Sequence, residues 1–221
     1  FDLSQIFLQS DAVLAPSTKV LALTSNSFVS AVELNIVKIT IGFHDVNFIK
    51  TALELCIDGT TCFLRHTVDL GQDTTTFTME GEPVNNAVTE YQPTAPYIFG
   101  EDVLPPYLDT FEIDMQLGII IMVFTEPIDM TSFRGSGLKV SASDGGFPSI
   151  RLTDKSFFNE TYMANATMIL TREDLYYIKR EPDIGDSQSK IFLSVLPTMV
   201  KDISSNPIAG VLRRFGDTVT K

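Results

Sequence analysis

The sequence predicts an all-β chain of two tandem β-sandwich units, and three observations lead there. One stretch of sequence returns later in the chain. Short apolar runs, separated by turn residues, recur at the spacing of a sandwich. One run, Ile119-Ile120-Ile121-Met122-Val123-Phe124, is too uniformly apolar for an exposed edge, and it is too short and too β-branched for a helix.

The repeat sets the domain organisation. Residues Ile39 to Lys50 return as Met168 to Lys179, and both copies read Asp-apolar-x-aromatic-Ile-Lys: Asp45, Ile49 and Lys50 in the first, Asp174, Ile178 and Lys179 in the second. Phe63-Leu64 falls on Phe192-Leu193, Pro83-Val84 on Pro207-Ile208, and Phe1 on Phe133. The offset drifts from 132 to 129 to 124, as it does when surface loops gain or lose residues between equivalent strands. The boundaries are therefore a first unit over 1–104, ending in a proline-rich linker at 92–106, and a complete second unit over 105–221. Nothing in the first unit corresponds to Tyr107–Ser132, so it lacks its opening hairpin in this fragment. That hairpin is expected upstream in the same polypeptide or, alternatively, donated by a neighbouring molecule through β-augmentation.

Seven strands are expected in the second unit. Leu108–Asp114 and Gly118–Phe124 form a hairpin across Asp114-Met115-Gln116-Leu117-Gly118, and the second of them is central. Gly137–Ser141, Ser149–Leu152 and Ala166–Leu170 follow. Thr171 then caps a helix of one or two turns, with Asp174 answering as in a capping box and Leu175 and Ile178 turned inward. Gly42 and Asp45 hold those positions in the first copy, which weakens the box. Lys190–Val200 is the sixth strand, bulged, broken or at an edge where Pro197 removes a donor. Asp202-Ile203-Ser204-Ser205-Asn206-Pro207 turns into the last strand, Ile208–Leu212. The linker residues Gln92-Pro93-Thr94-Ala95-Pro96 and Pro105-Pro106 read as a stiff spacer rather than a strand.

Composition limits the function. A formal charge of -12 repels phosphate backbones and anionic lipid, so neither nucleic acid nor a membrane surface is an expected partner. No apolar run approaches the roughly 18 residues that span a bilayer, so direct membrane insertion by this segment is not expected. Cys56 and Cys62 flank Asp58-Gly59 and read as a disulfide of an oxidising compartment, the alternative being two free core thiols. Sequons at Asn159-Glu160-Thr161 and Asn165-Ala166-Thr167 point the same way, to an extracellular or cell-surface chain carrying N-glycans.

Three motifs occur in a fixed order: Phe124-Thr125-Glu126-Pro127-Ile128-Asp129, Leu170 to Lys179, and Asp202 to Ile208. Together they resemble a repeat family of very large surface proteins from bacteria, algae, other protists and marine invertebrates, the mastigoneme proteins of flagellar hairs being one setting. The chain departs from that pattern at Ser205, where the family has Gly. The resemblance implies Ig-like Greek-key sandwiches and a non-catalytic role as spacer, adhesion module or filament building block, with other repeats of the same chain or neighbouring protomers as partners. It implies a flagellar surface as one location, and no catalytic residue and no cofactor.

An enzyme needs a nucleophile with a base, or paired acids in a cleft. His44 and His66 are the only imidazoles, and His44 is replaced by Glu173 in the second copy. The alternative function is a calcium-stiffened adhesin, since Glu101, Asp102 and Asp109 flank the linker, although no ligand spacing marks a metal site.

Overall fold

The computed structural model describes residues 1–33, 36–67, 70, 77–79, 82–84, 91–144, 146–158, 162–184 and 191–215. The described residues are mostly β-strand, arranged in several antiparallel sheets with two short α-helices. It divides into two compact units, Phe1–Glu101 and Asp102–Lys221.

The first unit contains β1 (Ile6–Gln9), β2 (Val20–Ala22), β3 (Phe28–Glu33), β4 (Ile36–Thr40), α1 (Phe43–Thr51), β5 (Phe63–His66), β6 (Phe77–Met79), β7 (Glu82–Val84) and β8 (Tyr91–Thr94). One sheet has the order β2-β1-β5-β8, while β3–β4 and β6–β7 are separate two-stranded ladders. The buried apolar residues are Ile6, Leu8, Leu21, Leu23 and Leu55, with Ile39, Ile49 and the Cys56 and Cys62 side chains packed around them.

The second unit contains β9 (Leu108–Asp114), β10 (Ile119–Asp129), β11 (Leu138–Ser141), β12 (Ser149–Arg151), β13 (Phe157–Phe158), β14 (Tyr162–Ile169), α2 (Arg172–Arg180), β15 (Phe192–Val195), β16 (Lys201–Asp202) and β17 (Val211–Phe215). One sheet runs β13-β14-β10-β16 with β9 also on β10, and the other runs β12-β11-β15-β17. Ile120, Met122 and Phe124 from the first sheet share one core with Leu138, Val140, Leu193 and Val195 from the second. Fully burying one such side chain contributes about 1.5–3 kcal/mol, so the strongly apolar β10 is fixed at the centre.

The β9–β10 turn shows how local sequence sets this pairing. Asp114 Oδ1 accepts from the amides of Gln116 and Leu117 at 2.7 and 2.8 Å, and Gly118 takes φ +71°. That left-handed conformation is open to glycine without steric cost.

The expected sixth strand is broken at Pro197, one of the outcomes the missing donor allows, and two other expectations need correction. β15 ends at Val195, Leu196–Met199 closes a turn around Pro197, and the chain re-enters the other sheet as β16. The second strand of the opening hairpin does not end at Phe124, because β10 continues to Asp129 with its register shifted between Val123 and Ile128. The linker also starts later than expected, since Tyr91–Thr94 pairs with β5 as an edge strand, where Pro93 is tolerated.

The two units repeat each other in detail. β1 and β2 pair in the register of β11 and β12, Leu8↔Leu21 matching Val140↔Ile150. Leu8↔Leu64 likewise matches Val140↔Leu193. Phe28↔Thr40 and Val29↔Ile39 match Phe157↔Ile169 and Phe158↔Met168, and α1 and α2 span equivalent nine-residue segments.

Candidate functional site

The repeated motif turns out to be a hydrogen-bonded clamp. In the second unit the Asp174 carboxylate is 1% exposed and accepts from the Thr153 amide at 3.0 Å, the Thr153 hydroxyl at 2.8 Å and the Ser156 hydroxyl at 2.8 Å. Ser156 Oγ in turn accepts from the Thr171 amide at 3.1 Å, and Thr171 Oγ1 caps α2 by accepting from the Asp174 amide at 3.1 Å. The capping box is therefore closed through Ser156 rather than by a direct return from Asp174 to the Thr171 amide. A buried carboxylate is costly unless several donors satisfy it, and this one has three.

The first unit carries the same arrangement. Asp45 accepts from the Thr24 amide at 2.9 Å, the Thr24 hydroxyl at 2.8 Å and the Ser27 hydroxyl at 2.6 Å, while Ser27 Oγ accepts from the Gly42 amide at 3.0 Å. Burial raises the Asp45 carboxyl, but the bonds from Ser27 and Thr24, with the charge of His44, outweigh it and hold the group below the ordinary aspartate value. Gly42 makes no side-chain cap, and a Cβ there would sit 2.0 Å from the Asn26 carbonyl oxygen. Ile49 is half-buried against the core of its unit and Ile178 is fully buried, whereas Lys179 is exposed. The clamp ties the loop before β3 or β13 to the helix N-terminus of its own unit.

A second constellation joins residues far apart in sequence. Carboxylate oxygens of Asp102, Glu126 and Asp202 all lie within 4.8 Å of one another. Glu126 is 8% exposed and Asp202 2%. The β10 irregularity between Val123 and Ile128 breaks the strand alternation, so that Glu126, Pro127 and Ile128 are buried in succession. Asp202 closes its own turn, accepting from the Asn206 amide at 2.6 Å and from Asn206 Nδ2 at 2.9 Å, while Asn206 Nδ2 also donates to the Asp102 carbonyl at 3.0 Å. Ser204 Oγ donates to Asp102 Oδ2 at 3.4 Å. Calcium–oxygen distances of about 2.3–2.6 Å put opposite ligands roughly 5 Å apart, so one ion can touch all three carboxylates.

Of the expected calcium ligands, only Asp102 belongs to this cluster; Asp109 is exposed on β9. Glu126 and Asp202 both sit in recognisable motifs, but their convergence depends on β10 and β16 being sheet neighbours, and no spacing announces that.

Cys56 and Cys62 form a disulfide. Asn165 is exposed in β14, opposite Val123 of β10, and Asn159 lies outside the described residues. His44 is exposed at the start of α1, beside Phe43, and His66 lies in β5. Among the described residues no helix is long and apolar enough to cross a membrane. Compared with protein-family models, curated proteins and solved structures, the chain matches none.

Proposed function

We propose that the chain is a non-catalytic, repeated structural or adhesive module of a large extracellular protein, built from Ig-like Greek-key sandwiches and serving as a spacer or building block of a surface filament. The observation that carries this reading is the recurrence of one architectural unit, down to strand register and the buried Asp–Ser–Thr clamp. Repetition of one unit suits an extended array, where each copy adds length and a further lateral surface. The disulfide and the exposed sequon at Asn165 support a location outside the cell, with N-glycans, on a cell or flagellar surface. Its partners are then other repeats of the same chain or neighbouring protomers.

Antibody raised against the chain tests this. It should label intact, unpermeabilised cells of the source organism and decorate surface fibres, and label confined to permeabilised cells would overturn the proposal.

The Asp102, Glu126 and Asp202 carboxylates favour a second reading, a calcium-stiffened adhesin ectodomain that binds a protein or glycan partner. A dependence of the melting temperature of the second unit on calcium separates it from the first.

A further inference from the structure

In the second unit β10 is the strand on which the first sheet is built, lying between β14 and β16 with β9 on the same strand. Among the described residues of the first unit no strand occupies that place, and β3–β4 and β6–β7 remain separate ladders. Among the described residues, none forms a strand on the edge of β4 that corresponds to the β10-facing edge of β14.

The side chains tell the same story. Ala166 and Met168, beside β10 on β14, and Leu170 just after that strand are 1%, 0% and 6% exposed. Their counterparts at the 129-residue offset are Val37, Ile39 and Ile41, of which Val37 and Ile41 are 37% and 36% exposed. Phe133 packs edge-on against Phe158 with ring centroids 4.8 Å apart, whereas Phe1, its counterpart, is 62% exposed. Phe1, Leu3, Phe28 and Val29 help to line an open groove of about 490 Å³ in the first unit.

The main chain fixes which way an occupant would enter. The Asp2 amide donates to the Leu70 carbonyl at 2.9 Å, repeating the bond of 2.7 Å from the Arg134 amide to the Met199 carbonyl. The Gln5 amide donates to the Asp2 carbonyl as the Gly137 amide does to Arg134. The first residues of this unit are thus held as the β10–β11 junction is held in the second unit, where three residues, Met130–Ser132, separate the end of β10 from the counterpart of Phe1.

We infer that the first unit is an acceptor for a β-hairpin of the β9–β10 kind, supplied by polypeptide joined directly ahead of Phe1 and laid against β4 in the register that β10 adopts on β14. Register transfer places the position equivalent to Met122 opposite Val37 and the position equivalent to Ile120 opposite Ile39. The hairpin's second strand must alternate apolar side chains, as Ile120, Met122 and Phe124 do, so that they cover Val37, Ile39 and Ile41. A second copy of this chain is a poor donor, because its own β9–β10 hairpin is committed to its own core.

The test is the full chain carrying an added copy of residues 107–132 fused directly before Phe1. Hydrogen exchange of the β4 amides 36–40 should slow by about tenfold or more relative to the unextended chain, with loss of apolar-dye binding and with the protein monomeric. In parallel, Met122→Cys in the added copy combined with Val37→Cys should form a disulfide, while the register-shifted pair with Lys38→Cys should not; this readout does not depend on a stability gain. Unchanged exchange together with no register-selective disulfide would overturn the inference. So would β4 amides already protected in the unextended chain, either as a monomer, meaning the face closes itself, or only in a concentration-dependent dimer, meaning a second copy covers it.

Discussion

Asp174 accepts, 129 positions after Asp45, the same three hydrogen bonds that Asp45 accepts: two from one threonine and one from a serine. Each clamp joins a loop to the helix of its own unit through a carboxylate that is almost wholly buried. Asp174→Asn keeps the size of the side chain but removes the charge and turns an NH2 group toward donors. It is expected to cost about 2–4 kcal/mol in urea unfolding of the second unit, since bonds to a charged acceptor are the strong kind. A loss under about 0.5 kcal/mol would show that the clamp does not stabilise the fold.

The Asp45 clamp should also make the first unit sensitive to acid. Its carboxyl is held below the ordinary value of 3.8, so the folded state binds the proton less readily than the unfolded state does. The stabilisation is fully present above that value and is lost as pH falls from it toward the lower folded value. The stability difference between the wild type and Asp45→Asn is therefore expected to be constant at neutral pH and to shrink below about pH 4. A difference that does not change down to about pH 2.5 would remove Asp45 from the acid response.

How much of this was legible in the sequence depended on whether partners were repeated or merely brought together. Asp45 and Asp174 stand out because their surroundings recur at one offset. Carrying that offset upstream pairs Thr24-x-x-Ser27 with Thr153-x-x-Ser156, a signal present but shorter than the helical motif. The Asp102, Glu126 and Asp202 cluster has no such signal, because only the pairing of β10 with β16 closes a gap of many residues. Pro93 reads as part of a spacer and the strand through Phe124 reads as ending short of Pro127, on local chemistry alone. Pro127 lies where β10 shifts register and Pro93 on an edge strand, two settings in which a missing donor is tolerated.

Gly42 replaces a capping threonine for a steric reason. A Cβ would meet the Asn26 carbonyl oxygen at 2.0 Å, so Gly42→Thr is expected to destabilise the first unit despite restoring a favoured cap residue. Thr171→Ala removes the real cap of α2 and should cost about 1 kcal/mol. Thermal unfolding of the two variants distinguishes these effects, and a Gly42→Thr protein as stable as the wild type would contradict the crowding.

Ser205 takes φ +71° in the closing turn, where its amide donates to the Asp202 carbonyl at 3.1 Å. Left-handed backbone favours glycine over serine. Ser205→Gly should stabilise the second unit by roughly 0.5–1 kcal/mol in denaturant titration, with no change in slope. A destabilised variant would mean that the serine side chain contributes more than the backbone strain costs.

The calcium reading rests on the same turn and has a sharper signature. Two of its three carboxylates are buried, and a bound cation would relieve the repulsion of like charges within 4.8 Å of one another. Calcium accepts several oxygen ligands at flexible angles, whereas magnesium demands a tight octahedron and sheds water reluctantly. Calcium at about 100 times its dissociation constant stabilises a folded site by about 2.7 kcal/mol, so the transition of the second unit should rise with calcium and much less with magnesium. Asp202 also holds Asn206, so the absolute stability of Asp202→Asn is ambiguous. The informative quantity is the calcium-induced shift within each variant, which Glu126→Gln and Asp202→Asn should both reduce to near zero. A wild-type transition that stays put at about 10 mM calcium would leave the spacer reading as the better account of this chain, since even weak extracellular sites are filled at that concentration.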